Sequence, residues 1–204
     1  MPLRWGLISD VHGNLAALEE ALQVLHGRGA QHLAFLGDYL GRGDPDACAR
    51  LIREHAEVAL LGNRDVDWQD RVAPPTRSWV LSLPRSALVD GLLLAHGDAR
   101  LTRRLSTSQI GRHFVDAWQE MDERGARMLA FGHSHFARTW RKTAAAAPLE
   151  LLGARATLDG ECRYFVNVGS AGLPFPGKGG PSVALLDLRE NWVEHIGLTW
   201  PGEK

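Results

Sequence analysis

Seven side chains of metal-ligating type fall in five short motifs: Asp10 with His12, Asp38, Asn63, His96, and His133 with His135. Each motif follows a short apolar run that reads as a buried strand. The runs are Trp5-Gly6-Leu7-Ile8, Leu33-Ala34-Phe35-Leu36, Val58-Ala59-Leu60-Leu61, Leu92-Leu93-Leu94-Ala95 and Met128-Leu129-Ala130-Phe131. Five strand ends carrying the same class of ligand predict a single sheet edge lined for metal, and so a hydrolase.

The residue types suit that chemistry. Asp10 and His12 are two apart, so at a strand end they can converge on one ion from the opening loop; His133 and His135 repeat the spacing. Asp38 has two carboxylate oxygens and can bridge two cations. Asn63 adds a neutral amide oxygen. Glycine beside the ligands, in Gly37-Asp38, Gly62-Asn63 and His96-Gly97, leaves room for close approach. Two divalent ions would bring about four positive charges and the two aspartates return about two negative ones, which leaves positive charge for an oxyanion. Imidazole and carboxylate suit Mn, Fe, Co, Ni or Zn better than Ca, with Mn favoured here. Two such ions about 3.5–4 Å apart can activate a water for in-line attack at phosphorus.

Taken singly, each residue has a plainer reading. His12 or His96 alone reads as a hydrogen-bonded structural residue, and Asp38 alone as a cap of a turn or helix. Independent structural causes do not place all of them after strands, with glycine beside most.

The elements that must position these ligands alternate strand and helix over the first two-thirds of the chain. Residues 3–9 read as the first strand. Asn14 then caps a helix whose apolar face is Leu15, Leu18, Leu22 and Leu25, stopped by Gly27 and Gly29. A strand over 32–36 leads to a helix beginning near Pro45, and a strand over 57–61 follows. Residues 65–84, with Trp68, Pro74, Pro75 and Trp79, read as irregular: a lid over the site, or a packed connection with a short helix. Ser106 and Gln109 have capping-box spacing before a stripe of Ile110, Phe114, Trp118 and Met121, which reads as core. From residue 137 the pattern changes to strands, over 137–142, 149–152, 162–168, 182–188 and 192–198. Residues 144–147 with Pro148 form a hairpin tip. This order predicts an α/β layered domain over residues 1–204, with a second sheet added late.

The bulk numbers permit this reading. A chain of 204 residues that is 45% hydrophobic and 23% charged suits a soluble globular domain with an ample core. Its net charge of −1 provides no basic footprint for a long nucleic acid. Cys48 and Cys162 match no metal or redox spacing, and both read as small residues packed in or near the core. No run approaches the ~20 apolar residues of a membrane span, and the start of the chain reads as a strand, so the expected location is the cytoplasm. Oligomeric state stays open; Trp140, Trp192 and Trp200 suit either a core or an interface.

Together, Asp10-Val11-His12-Gly13-Asn14, Gly37-Asp38-Tyr39, Gly62-Asn63, His96-Gly97 and Gly132-His133-Ser134-His135 resemble the calcineurin-like metallophosphoesterase family. The late Asn167-Val168-Gly169-Ser170 resembles that family's Asn-x-Gly-Ser segment, so the resemblance spans almost the whole chain. Within the family it is most similar to the small prokaryotic phosphodiesterases. The resemblance implies two β-sheets packed as a sandwich flanked by helices, an αββα arrangement with metals at the strand ends. It implies one ion held by Asp10, His12, Asp38 and His135, and a second by Asp38, Asn63, His96 and His133. It also offers Arg42, in the Gly37–Gly43 stretch, as a phosphate contact, with a surface ion pair as the plainer reading.

One position departs from the family pattern. Many members carry histidine after the metal-binding asparagine, where it protonates the leaving group; here Arg64 follows Asn63. A guanidinium keeps its proton, so Arg64 cannot serve as general acid. It could grip phosphate through a bidentate contact, or pair at the rim with Asp65 or a similar carboxylate. Substrates whose leaving group needs little protonation, such as aryl esters or phosphoanhydrides, follow as an expectation. Another acid would have to come from elsewhere, with His113 a distant candidate.

The favoured function is a binuclear metal-dependent phosphoesterase acting on a small phosphoester, a phosphodiesterase before a monoesterase. A protein or nucleotide phosphatase is the alternative within enzymes. A non-catalytic scaffold is the alternative outside them, and it is disfavoured because all seven ligands are kept.

Overall fold

Apolar runs covered on both faces produce strands without alternation, and this chain builds two sheets from them. The computed structural model describes residues 3–97, 110–175, 177 and 179–199, with 110–115 by backbone alone. In chain order the first half holds β1 (Arg4–Ile8), α1 (Leu15–Gly27), β2 (His32–Phe35), α2 (Pro45–His55), β3 (Val58–Ala59), α3 (Asn63–Trp68), α4 (Pro74–Ser82), β4 (Ser86–Val89) and β5 (Leu92–Ala95). The second half holds α5 (Ile110–Glu123), β6 (Met128–Phe131), β7 (Arg138–Lys142), β8 (Leu149–Leu151), β9 (Arg155–Thr157), β10 (Arg163–Asn167), β11 (Ser182–Asp187) and β12 (Trp192–Gly197).

One six-stranded sheet has the order β3-β2-β1-β11-β12-β9, and the other β4-β5-β6-β10-β7-β8. β1, β2 and β3 run parallel, as do β5, β6 and β10, so their C-terminal ends point the same way within each sheet. The seven candidate ligands therefore follow strands of two sheets, not one. Nothing in an apolar run says to which sheet it belongs, which is why a single edge was the simpler expectation.

Side-chain alternation distributes three cores. Trp5 and Leu7 of β1 meet Leu92, Leu94, Met128, Ala130 and Val166 between the sheets. Ile8, Leu33 and Phe35 face outward to Leu18, Leu22 and Leu25 of α1 and Ile52 of α2. On the far side Leu93, Leu129, Phe131 and Phe165 pack on Ala117 and Met121 of α5. The layers are thus helix, sheet, sheet, helix.

Local chemistry explains where the two long helices of the first half begin. The Asn14 side chain accepts from the N–H of Ala17 at 3.1 Å and starts α1. Asp44 does the same for Ala47 at 2.9 Å, ahead of Pro45 in the first turn of α2. Three expectations are corrected. Residues 65–84 are not irregular but follow the second of the two readings, a connection that carries short helices: α3, a 3-10 turn over Gln69–Arg71 and α4 occupy most of it. β3 is only two residues long. β4 and β9, at the margins of their sheets, were not foreseen because their half-exposed runs are too short to show a period.

Cys48 is buried and Cys162 half-buried, both as free thiols. Trp140 and Trp192 are core residues. Trp118 is half-buried beneath Lys142 and Arg163, whose charged groups lie 4.6 and 4.3 Å from its ring. Ser106, Gln109 and Trp200 lie outside the described residues, as do the side chains of Ile110, His113 and Phe114.

Candidate metal centre

The loops after β1 and β2 run side by side, fastened backbone to backbone. Asp10 N–H donates to Gly37 O at 3.0 Å, His12 N–H to Asp38 O at 2.9 Å, and Gly13 N–H to Tyr39 O at 2.8 Å. A Cβ on Gly41 would stand 2.3 Å from His12 O, and one on Gly13 2.2 Å from Arg42 O. The glycines of the Gly37–Gly43 stretch thus permit two main chains to touch. Similar crowding joins the other loops: a Cβ on Gly62 would meet Asp38 Oδ1 at 2.2 Å, and one on Gly132 would meet Asp10 Oδ2 at 2.4 Å. Gly97 is different. Its nearest neighbour would be His133 Cβ at 3.7 Å, ordinary contact, so His96 does not depend on a glycine after it.

Among the described residues seven non-glycine positions have positive φ, and five of them are Asp10, His12, Asp38, His133 and His135. Such a conformation costs of order 1 kcal/mol per residue and persists where the surroundings impose it. In the loop after β1 both such residues, Asp10 and His12, enter one group, whereas in the loop after β6 His133 and His135 enter two neighbouring groups.

Two groups result. Nε2 of His12 and His135 are 3.2 Å apart, and Oδ1 of Asp10 lies 3.0 Å from the latter and 3.7 Å from the former. In the second group Nε2 of His96 is 3.3 Å from Asp38 Oδ2, 3.1 Å from Asn63 Oδ1 and 3.2 Å from His133 Nδ1. Asp38 Oδ2 is also 3.9 Å from His12 Nε2, so one oxygen faces both groups. The other oxygen, Oδ1, accepts the main-chain N–H of Arg64 at 2.7 Å. The seven side chains singled out in the sequence lie together as two adjoining groups, Asp10, His12 and His135 in one and Asp38, Asn63, His96 and His133 in the other.

The donor set fits metal ions. Nδ1 of His96 meets Leu36 O at 2.8 Å and Nδ1 of His135 meets Leu173 O; a carbonyl only accepts, so both Nδ1 atoms carry the proton. When these rings are neutral, as metal ligands are, Nε2 presents a lone pair to carboxylate and imidazole atoms that also carry lone pairs. Asp10 Oδ1 is buried without hydrogen-bond geometry to any partner, despite its 3.0 Å approach to His135. Facing acceptors at these spacings suit a shared cation with bonds of about 2.0–2.2 Å. The carboxylates favour a positive charge at this point, be it a proton or a metal ion. Burial disfavours charge on His96, yet Asp38, Asp10 and Asp65 lift it to about 10. Burial raises the Asp10 carboxyl, but His12, His135 and His96 pull it well below the usual range.

Several further residues position the ligand loops; Asn167 and Ser170 belong to the late motif already noted in the sequence, whereas Asp65 carries no such signal. Asp65 is buried, and its carboxylate accepts the N–H groups of Asp38, Gly62, Tyr39 and Leu40 at 2.8–2.9 Å. Burial and the charge of Asp38 push it up to about 6, against those donors. In sequence it reads as a surface partner for Arg64. Asn167 donates to Gly132 O at 3.0 Å and Ser134 Oγ at 2.7 Å, holding the loop of His133 and His135. Ser170 Oγ donates to Asp10 O at 2.9 Å.

The arginines stand outside this core. The Arg64 guanidinium is exposed and lies 3.5 Å from Asp67 rather than beside Asp65. Arg42 is exposed and makes no ion pair among the described residues.

A model of the calcineurin-like phosphoesterase superfamily domain matches residues 3–191. The chain belongs to that superfamily. A superfamily relative, phosphodiesterase YfcE of Escherichia coli K12, is 30% identical over 140 residues, 62% of this chain and 66% of YfcE. An uncharacterised protein of Methanocaldococcus jannaschii is 24% identical over 97% of this chain and 88% of its own. The fold is similar to a metallophosphoesterase from Sphaerobacter thermophilus, with a TM-score of 0.81 and 23% identity over 98% of this chain and 90% of that one.

Proposed function

We propose that this chain is a binuclear metal-dependent phosphodiesterase acting on a small phosphoester. The observation that carries the reading is the pair of acceptor groups meeting at Asp38 Oδ2. The E. coli relative named as a phosphodiesterase favours a diester over a monoester. Asp10, His12, Asp38 and His135 would hold one divalent transition ion, and Asp38, Asn63, His96 and His133 the other. Such ions supply an activated water nucleophile and neutralise charge developing at phosphorus.

The chain's own residues do the rest. Asp65, Asn167 and Ser170 fix the ligand loops, so little reorganisation accompanies binding. His12, Asn63 and His133 are less buried than Asp10, Asp38 and His96, so the substrate approaches from their side. Arg42 offers a cation at the rim; Arg64 could do so only by exchanging Asp67 for phosphate. Neither can give a proton to the leaving group.

The test is metal analysis of the purified protein, followed by assay on bis(4-nitrophenyl) phosphate, 4-nitrophenyl phosphate and a dinucleoside polyphosphate. Diester hydrolysis exceeding monoester hydrolysis is expected. The reverse order would instead make it a phosphatase, and no turnover of any would favour a scaffold.

A further inference from the structure

The segment after Ser170 is fixed against the loop that carries Asp10. Ala171 N–H donates to Ser9 O at 2.9 Å, Gly172 N–H to Asp10 O at 3.0 Å, and Leu173 N–H to Ser170 Oγ at 2.9 Å. A Cβ on Gly172 would lie 1.8 Å from Val11 O, so the two chains are in full contact. The segment ends with Phe175 laid flat on His135, ring centroids 4.3 Å apart and planes 6° from parallel. Phe175 keeps 41% of its surface exposed. An aromatic ring is thus held, in part open to solvent, one stacking distance from an imidazole of the ligand set.

From this we infer that Phe175 is a specificity-determining residue: its ring is a platform that selects phosphoesters bearing a planar aromatic ring beside the phosphorus. The inference rests on the phosphoesterase reading and names the substrate class for that site. A phosphate held by the metal groups fixes the ester substituents close by. A planar substituent can then lie along Phe175 with little further loss of freedom, because the platform is already ordered by its anchored backbone. Aromatic surface beside a few convergent polar groups is the usual composition of a small-molecule site. The plainer role, an apolar cover that keeps water from His135, needs bulk but not planarity. Leucine would serve it as well as phenylalanine.

That difference defines the experiment. Protein loaded with Mn is titrated calorimetrically with phenylphosphonate, cyclohexylphosphonate and methylphosphonate, none of which it can hydrolyse. Stacking predicts phenylphosphonate binding about five- to tenfold tighter than cyclohexylphosphonate. Phe175→Leu should bring that ratio close to one, while Phe175→Tyr should keep it. Equal affinity for the planar and saturated rings in the unaltered protein would overturn the inference alone, as would a preference that survives Phe175→Leu. Binding of none of the three would overturn the phosphoesterase reading and the inference with it.

Discussion

Asp38 and Arg64 are joined by a hydrogen bond of 2.7 Å from the main-chain N–H of Arg64 to Oδ1, which commits that oxygen and turns Oδ2 to the histidines. Oδ2 then stands 3.3 Å from His96 and 3.9 Å from His12. Asp38→Asn can keep the Arg64 contact while placing an NH2 group where a shared acceptor is needed. Turnover should fall by about a thousandfold or more, with the thermal melt of the metal-free protein little changed. Unchanged turnover would sink the two-ion mechanism.

Asp65 collects four main-chain N–H groups, from Asp38, Tyr39, Leu40 and Gly62, in a buried position. In Asp65→Asn one of the two acceptor oxygens becomes a donor facing donors. A loss of roughly 2–4 kcal/mol is expected in urea melts of the metal-free protein. A loss below about 0.5 kcal/mol would show that the clamp is dispensable.

Two glycine positions give opposite expectations. A Cβ on Gly132 would fall 2.0 Å from Ser9 Oγ, whereas on Gly97 it would find nothing nearer than 3.7 Å. Gly132→Ala should cost about 1–3 kcal/mol and weaken metal binding. Gly97→Ala should stay within about 0.5 kcal/mol. Equal effects in paired melts would contradict the contact geometry.

His195 bridges the sheets, with Nε2 3.0 Å from Thr139 Oγ1, and burial lowers it to about 4. The folded protein therefore wants this imidazole neutral, while the unfolded chain protonates it near 6.5. Its contribution is complete above about 6.5 and lost as pH falls through about 4, by at most about 3 kcal/mol. Urea midpoints at pH 7 and 4.5 should differ more in the unaltered protein than in His195→Gln. An equal difference in both proteins would contradict the assignment.

The leaving group gives a further test. Arg64, exposed beside Asp67, supplies no transferable proton. Rates for a series of aryl alkyl diesters should fall steadily as leaving-group pKa rises. A flat dependence would reveal another acid.

The candidate metal site was legible because parallel strands buried on both faces read as plain apolar runs, and Asp10, Asp38, His96 and His133 interrupt them at the strand ends. The helices were legible where caps or periodic leucines marked them, as at Asn14. Asp65 was not, because a charged residue after Arg64 looks like any surface pair until α3 turns it inward. The division into two sheets was hidden for a related reason: Leu92–Ala95 and Met128–Phe131 are uniformly buried, as is β1 after Arg4, and pairing partners leave no mark on composition. β4 and β9 are short, half-exposed strands whose pairing depends on neighbours distant in sequence.

The most direct measurement is the number of transition ions bound per chain, by elemental analysis after equilibrium dialysis against Mn. Two ions per chain are expected, falling when Asp38 is replaced by Asn. Zero or one ion in the unaltered protein would contradict a binuclear centre shared through Asp38.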